Sequence, residues 1–323
     1  MNEINKKIEI NIGTVCNNDC LFCMSSGEGR KRSLIDFNVI CQDLEKYRQE
    51  AYDSIGFLGG EITIYPQVLE LISYAKNLGY KSIHIISNAR KFNDFSFLKK
   101  LVNSGVTRIS VSVHSHVKDI ENYLNNRDAY DEQIAGIKNL LKLYNSKQLK
   151  ERIALNMVIN KLNFQTLDKT IKFFNNLGIR DFRLNFIWPE GSALLNKEKL
   201  LLRYKDLKPY IKKWFLIAKF LKLYLSLESV PFCIIRNKTI INNLYGEYKD
   251  GKVDVVVGKE RDFFNWQKRK KEQFKIKPYF CQKCTYNNKC DGIWKNYLKI
   301  FGDQEFSPIN SITSYDSKIL IAE

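Results

Sequence analysis

Across the first 190 residues, six short apolar runs alternate with five helical patterns, and few folds accept that order. The apolar runs cover 7–13, 54–57, 82–87, 108–113, 153–159 and 182–187. Helical periodicity covers 36–51, 67–78, 94–103, 129–144 and 164–176. Several runs are rich in Ile and Val, as strands buried on both faces are. Gly79, Gly105 and Gly178 each stand after a helical pattern and before a strand, where a left-handed helix C-cap suits glycine. The expectation is an α/β chain whose parallel strands form a partial (β/α)6 TIM-like barrel. Chemistry in such folds sits at the C-terminal strand ends.

Those ends carry cysteine. Cys16, Cys20 and Cys23 read C-x3-C-x2-C on the loop after the first strand. Three thiolates on a short loop can face one point. Iron–sulfur clusters are held by such thiolates and usually take four, so three leave one iron open. Zinc sites prefer C-x2-C pairs closed by four ligands. Gly59-Gly60-Glu61 follows the second strand; the glycines let backbone approach a ligand and Glu61 adds an acceptor. Alone, such a triplet reads equally as an ordinary turn. Alternate residues of a barrel strand face inward, which puts Ser110, Ser112 and His114 on one face. Asn88 ends the third strand, while Asn156 and Asn185 sit in the fifth and sixth and read as inward-facing or as satisfied core amides.

A second set comprises Cys233, Cys281, Cys284 and Cys290, the last three spaced C-x2-C-x5-C. Four thiolates complete a ligand set, and the spacing permits iron–sulfur or structural zinc. Cys41 is left over in an apolar helical stretch, where a thiol commonly serves as a small hydrophobe.

The cysteine loop followed one strand later by Gly59-Gly60-Glu61 resembles the radical S-adenosylmethionine (radical SAM) superfamily, over roughly residues 7–190. The resemblance implies a [4Fe–4S] cluster on Cys16, Cys20 and Cys23 whose open iron chelates SAM. Reductive cleavage there yields methionine and a 5′-deoxyadenosyl radical that abstracts a substrate hydrogen. It implies that Gly59, Gly60 and Glu61 hold SAM's amino group. It also implies that Asn88, Ser112 and His114 lie beside SAM's carboxylate and ribose, and that Phe22 packs near the adenine. Without the resemblance, His114 reads as a hydrogen-bonded strand-end histidine and Phe22 as loop packing. The second cysteine set, continuing through Gly292-Ile293-Trp294 and Tyr297, resembles the twitch and SPASM auxiliary-cluster extensions. The cysteines are too few for a full SPASM pair, and the single-cluster twitch type fits better. An auxiliary [4Fe–4S] cluster for electron transfer is thereby implied, with a reductase such as a flavodoxin or ferredoxin as electron donor. The expected organisation is a barrel over 1–190, a helical linker over 191–227 and a twitch-like segment over 228–323.

Composition narrows the function classes. The chain has 323 residues, 44 % of them hydrophobic, enough for a large core. No apolar run reaches the length of a membrane span, and residues 1–7 lack a signal-peptide core, so a cytoplasmic protein is expected. The net charge of +17 is compatible with an anionic partner such as RNA, an acidic peptide or a phosphorylated substrate, but it comes from scattered lysines without an RNA-binding signature and reads first as compositional bias. Residues 198–223 read as basic helices whose Leu216, Ile217, Phe220 and Leu221 pack on the barrel, and 237–277 as irregular cover. The leading function is oxidative modification of a ribosomally made peptide. The alternatives are oxidation or epimerisation of a sugar or small metabolite and, in another class, a zinc-bearing RNA-binding protein. Gly59-Gly60-Glu61 and the βα order argue against the last.

Overall fold

The computed structural model describes residues 6–26, 31–250, 255–258 and 260–310. Residues 1–5, read above for a signal peptide, and 311–323 of the expected auxiliary segment lie outside them. In chain order the barrel elements are β1 (Lys7–Asn11), α1 (Phe37–Gln49), β2 (Ser54–Leu58), α2 (Val68–Asn77), β3 (Ser82–Ser87), α3 (Phe95–Ser104), β4 (Arg108–Ser112), α4 (Lys118–Asn125), α5 (Tyr130–Asn145), β5 (Ala154–Ile159), α6 (Leu167–Leu177) and β6 (Asp181–Phe186). Local chemistry sets these bounds. Asp36 and Asp94 cap α1 and α3 by accepting from Asn38 N–H and Phe97 N–H. Gly105 (φ +135°) and Gly178 (φ +117°) end α3 and α6 in backbone that side chains disfavour.

All six expected strands form, and with β7 (Tyr224–Glu228), β8 (Val255–Val257) and β9 (Phe263–Phe264) the sheet runs in the order β7-β6-β5-β4-β3-β2-β1-β8-β9. After β6 come α7 (Ser192–Leu195), α8 (Lys197–Leu200), α9 (Tyr204–Phe220) and β7 (Tyr224–Glu228). β7 pairs in parallel with β6, so the stretch read as a helical linker supplies a seventh barrel strand. Its five residues follow the helix directly, and that brevity hides them from a periodicity reading. The region read as irregular cover holds α11 (Lys238–Asp250) after α10 (Phe232–Ile235), then β8 (Val255–Val257), β9 (Phe263–Phe264) and α12 (Trp266–Arg269). β8 pairs in parallel with β1 and extends the sheet on its other side. A π-helical turn, Lys270–Phe274, leads into β10 (Lys275–Ile276). β10 pairs antiparallel with β11 (Ile293–Trp294), before α13 (Lys295–Phe301).

The main core lies between sheet and helices, with Ile8, Ile10, Ile55, Phe57, Phe92 and Phe174 essentially inaccessible. α9 packs through Tyr204, Leu207, Ile211, Trp214 and Ala218. This corrects the expectation for its end: Leu216 is 39 % and Phe220 85 % exposed, because the buried stripe is rotated away from them. Among the described residues no helix is long and apolar enough to cross a membrane.

Candidate active site

The loop after β1 is tied down on three sides. From α4, the C-terminal carbonyls of Leu124 and Asn125 accept from Leu21 N–H (3.0 Å) and Asp19 N–H (3.1 Å). Arg90 donates to Asn17 O (2.6 Å) and Asn18 Oδ1 (3.0 Å), and its Nε pairs with Glu132 at 2.7 Å. Arg32 donates to Cys16 O at 2.9 Å and pairs with Asp19 at 2.5 Å. Sequence reading missed both arginines. Only the position of Arg90, two residues past Asn88, hinted at a role.

The Gly-Gly-Glu turn closes the third side with backbone. Gly60 N–H donates to Gly13 O and Glu61 N–H to Val15 O, both at 2.9 Å. A Cβ at Gly60 would stand 1.9 Å from Val15 O, and one at Gly59 2.2 Å from Gly13 O. Only glycine allows this approach. Glu61 is 3 % exposed and accepts from Thr63 N–H and Oγ1, Ser87 Oγ and Asn88 N–H, joining the ends of β2 and β3. Burial raises its carboxyl above the usual range against those donors.

Burial raises the Cys16 and Cys20 thiols, Cys20 the more strongly, with Cys23 and Cys16 adding to the effect on Cys20. N–H donors nevertheless face Cys16 Sγ, from Asn18 backbone (3.3 Å) and Asn88 Nδ2 (4.0 Å). N–H donors aimed at the Cys16 sulfur suit a metal-bound thiolate there. Among the described residues no group of three His, Cys, Asp or Glu side chains is arranged to hold a lone metal ion. The thiols open instead onto a cavity of about 660 Å³, in the range of cofactor and ligand sites.

Every residue expected at the SAM site lines that cavity: Cys16, Cys20, Phe22, Cys23, Gly59, Gly60, Glu61, Asn88, Ser112 and His114. Asn156 and Asn185 also reach it. Ser110 does not; fully buried, it bonds His84 Nε2 at 2.9 Å. Burial holds His114 neutral, its pKa brought down to about 3. Its Nδ1 accepts from Val158 N–H at 3.1 Å, and Phe22 meets its ring edge-on at 4.5 Å. Glu121, fully buried, fixes this strand end by accepting from His114 and Ser115 N–H and from Asn125 Nδ2. The far wall of the cavity carries Trp188, Trp266, Trp294, Glu228 and Lys270. Trp188 and Trp294 stack at 4.9 Å, and the buried Trp294 indole N–H has no partner.

Cys233, Cys281, Cys284 and Cys290 come together around a separate small cavity. Cys233 sits on α10, and Cys281 and Cys284 on and just past a 3-10 turn, Tyr279–Lys283. Burial and the three neighbouring thiols push Cys233 up to about 12. Gly292 N–H faces Cys290 Sγ and Ile309 N–H faces Cys284 Sγ, each at 3.5 Å. No cysteine is in a disulfide, and Cys41 is buried on α1.

Seven parallel strands with a three-thiol loop at their C-terminal end define an α/β partial-barrel protein with a cofactor-bearing loop. The chain belongs to the radical SAM superfamily, whose sequence profile matches residues 10–174, and it is a radical SAM enzyme. Membership of that family supports a [4Fe–4S] cluster and SAM as cofactors. A protein of Saccharolobus islandicus named Probable GTP 3′,8-cyclase is 28 % identical over 207 residues, 64 % of this chain and 64 % of that one. The chain thus spans less than two thirds of that relative's length. A namesake from Saccharolobus solfataricus is 26 % identical over 287 residues, 78 % of this chain and 91 % of its own. Streptococcus suis SuiB bound to precursor peptide SuiA superposes with TM-score 0.64 at 16 % identity, covering 95 % of this chain and 75 % of that one. For anSMEcpe with bound AdoMet the TM-score is 0.61 at 15 % identity, covering 96 % and 94 %. Identities this low speak for a shared fold.

Proposed function

We propose that this enzyme oxidatively modifies a peptide, with SAM held at the β1–β4 strand ends and an auxiliary [4Fe–4S] centre on Cys233, Cys281, Cys284 and Cys290 as electron acceptor. The reading divides the chain into a barrel over 1–190, a linker that adds a strand over 191–227, and an auxiliary segment over 228–323. A reduced three-cysteine cluster with SAM supplies, when bound, a carbon radical able to take hydrogen from an unactivated C–H bond. In this reading Cys16, Cys20 and Cys23 hold the cluster. Gly59, Gly60 and Glu61 position the methionine end of SAM, Asn88 and Ser112 its polar groups, and Phe22 and His114 its adenosine. His114, neutral and anchored by Val158 N–H, orients without exchanging protons near neutral pH. The aromatic wall excludes water from the reacting carbon. Four thiolates leave no iron of the auxiliary centre open, which favours electron acceptance over substrate ligation.

One observation carries the peptide reading: the charge balance of the cavity wall. Among its described lining residues the cations are Arg32 and Lys270, already paired with Asp19 and Asp291, while Glu61 and Glu228 add negative charge. A triphosphate needs several cations to hold it. Three tryptophans and the amides of Asn156 and Asn185 suit a peptide's large side chains and carbonyls. The peptides bound by SuiB and anSMEcpe agree with this reading, whereas the cyclase name of the Saccharolobus relatives favours GTP as the second reading. The test is 5′-deoxyadenosine release by the anaerobically reconstituted enzyme with dithionite, in the presence of a peptide library or GTP. Stimulation by peptides, with products two hydrogens lighter, is expected. Stimulation by GTP alone would overturn the peptide reading.

A further inference from the structure

Lys275 lies on β10, in register with Trp294 of β11. This pairing brings it against the turn that follows Cys290, where it lines a small cavity with Cys290, Asp291, Lys271 and Lys289. The Lys275 side chain is 2 % exposed, with its ammonium 4.6 Å from the Trp294 ring centre and 3.9 Å from Asp291 Oδ2. Asp291 also pairs with Lys270 at 3.6 Å and Lys271 at 3.1 Å. Three ammonium groups therefore share one carboxylate, and the more distant Glu228 adds only longer-range attraction. Burial and the Lys270 charge push Lys275 down to about 8, against the pull of Asp291, Cys290 and Glu228. A buried cation so thinly compensated is costly unless another negative group stands beside it.

We infer that the missing negative charge is the auxiliary centre itself, and that Lys275 raises its reduction potential. The inference rests on the auxiliary-centre reading above. A cluster held by four thiolates is anionic when oxidised and more so after gaining one electron. That step makes and breaks no bond and moves no proton, and a buried ammonium favours its product through poorly screened attraction. Lys275 is thus a positioning charge that makes the centre a better acceptor.

The test uses the full chain carrying Cys16→Ala, Cys20→Ala and Cys23→Ala, so that only the auxiliary centre is loaded. Its midpoint is followed by EPR during an anaerobic redox titration, alone and with Lys275→Met, Lys275→Arg or Lys271→Met added. Lys275→Met should lower the reduction equilibrium constant at least tenfold, about 59 mV for one electron. Lys275→Arg should restore most of it. Lys271→Met should move it less, since that lysine is 49 % exposed and water screens it. If Lys275→Met does not fold, Lys275→Gln takes its place with the same expectation. Equal midpoints with iron retained would overturn the inference and leave the auxiliary centre standing. A background protein that holds no iron would overturn the auxiliary-centre reading instead.

Discussion

Gly60→Ala puts a methyl group where the Val15 carbonyl already lies. The added Cβ would stand 1.9 Å from Val15 O, against a closest ordinary approach of 3.0 Å, so turn and cysteine loop must part by about an ångström. That displacement carries Gly60 N–H away from Gly13 O and Glu61 N–H away from Val15 O, both now bonded at 2.9 Å. Leaving two such groups unpaired costs about 1–3 kcal/mol each, or roughly 2–6 kcal/mol together. For a chain of this order the apo protein should melt on the order of 10 °C lower. Gly79→Ala is the control. It has φ +87° but nothing closer than Arg48 Nε at 3.6 Å, so it tests backbone strain alone, about 1 kcal/mol. The assay pairs thermal unfolding of the apo chain with iron content after anaerobic reconstitution. Gly60→Ala should lose the iron of the first cluster, and Gly79→Ala should keep it. A Gly60→Ala protein with wild-type melting and iron content would refute the argument that this turn clamps the cluster loop.

Other substitutions probe the surrounding structure. Tyr297 is fully buried; its hydroxyl accepts from Tyr204 N–H at 2.9 Å and donates to Glu305. Tyr297→Phe leaves that amide unpaired and should cost about 1–3 kcal/mol in denaturant unfolding, with an unchanged midpoint as the contrary result. Burial pushes the Glu121 carboxyl up to about 7. The folded state thus favours the protonated acid, a contribution fully present below the ordinary carboxylate range and lost as pH rises to about 7. Glu121→Gln should remove this falling slope; a wild-type-minus-variant stability difference that stays flat between about pH 5 and pH 7 would contradict it.

The barrel was legible because its strands are Ile/Val runs followed by glycine-capped helices, and each such signal is local. β7 was not, since five alternating residues behind a basic helix carry too little pattern, and pairing with β6 is what makes them a strand. β8 is a three-residue strand set by its pairing with β1, far off in sequence, on one side and with β9 on the other. At the site, the cysteine spacing and the Gly-Gly-Glu triplet could be read as motifs. The hold of Arg90, Arg32 and the α4 carbonyls on the loop could not, because those contacts join segments that are distant in sequence. Glu61 shows the limit of motif reading: the triplet marks it, but only the folded chain shows both its oxygens bound to Thr63, Ser87 and Asn88. The tryptophan wall escaped for the same reason, since Trp188 and Trp294 stack across more than a hundred residues of chain.

The central claim is that seven cysteines hold two clusters. It is tested most directly by iron and sulfide content after anaerobic reconstitution, with Mössbauer spectra, for the wild type and a Cys281→Ala/Cys284→Ala variant. Two clusters require about eight irons per chain, falling to about four in the variant, with cubane signals in both. About four irons in both proteins, with zinc bound to the wild type, would contradict it and leave the second cysteine set a structural zinc site.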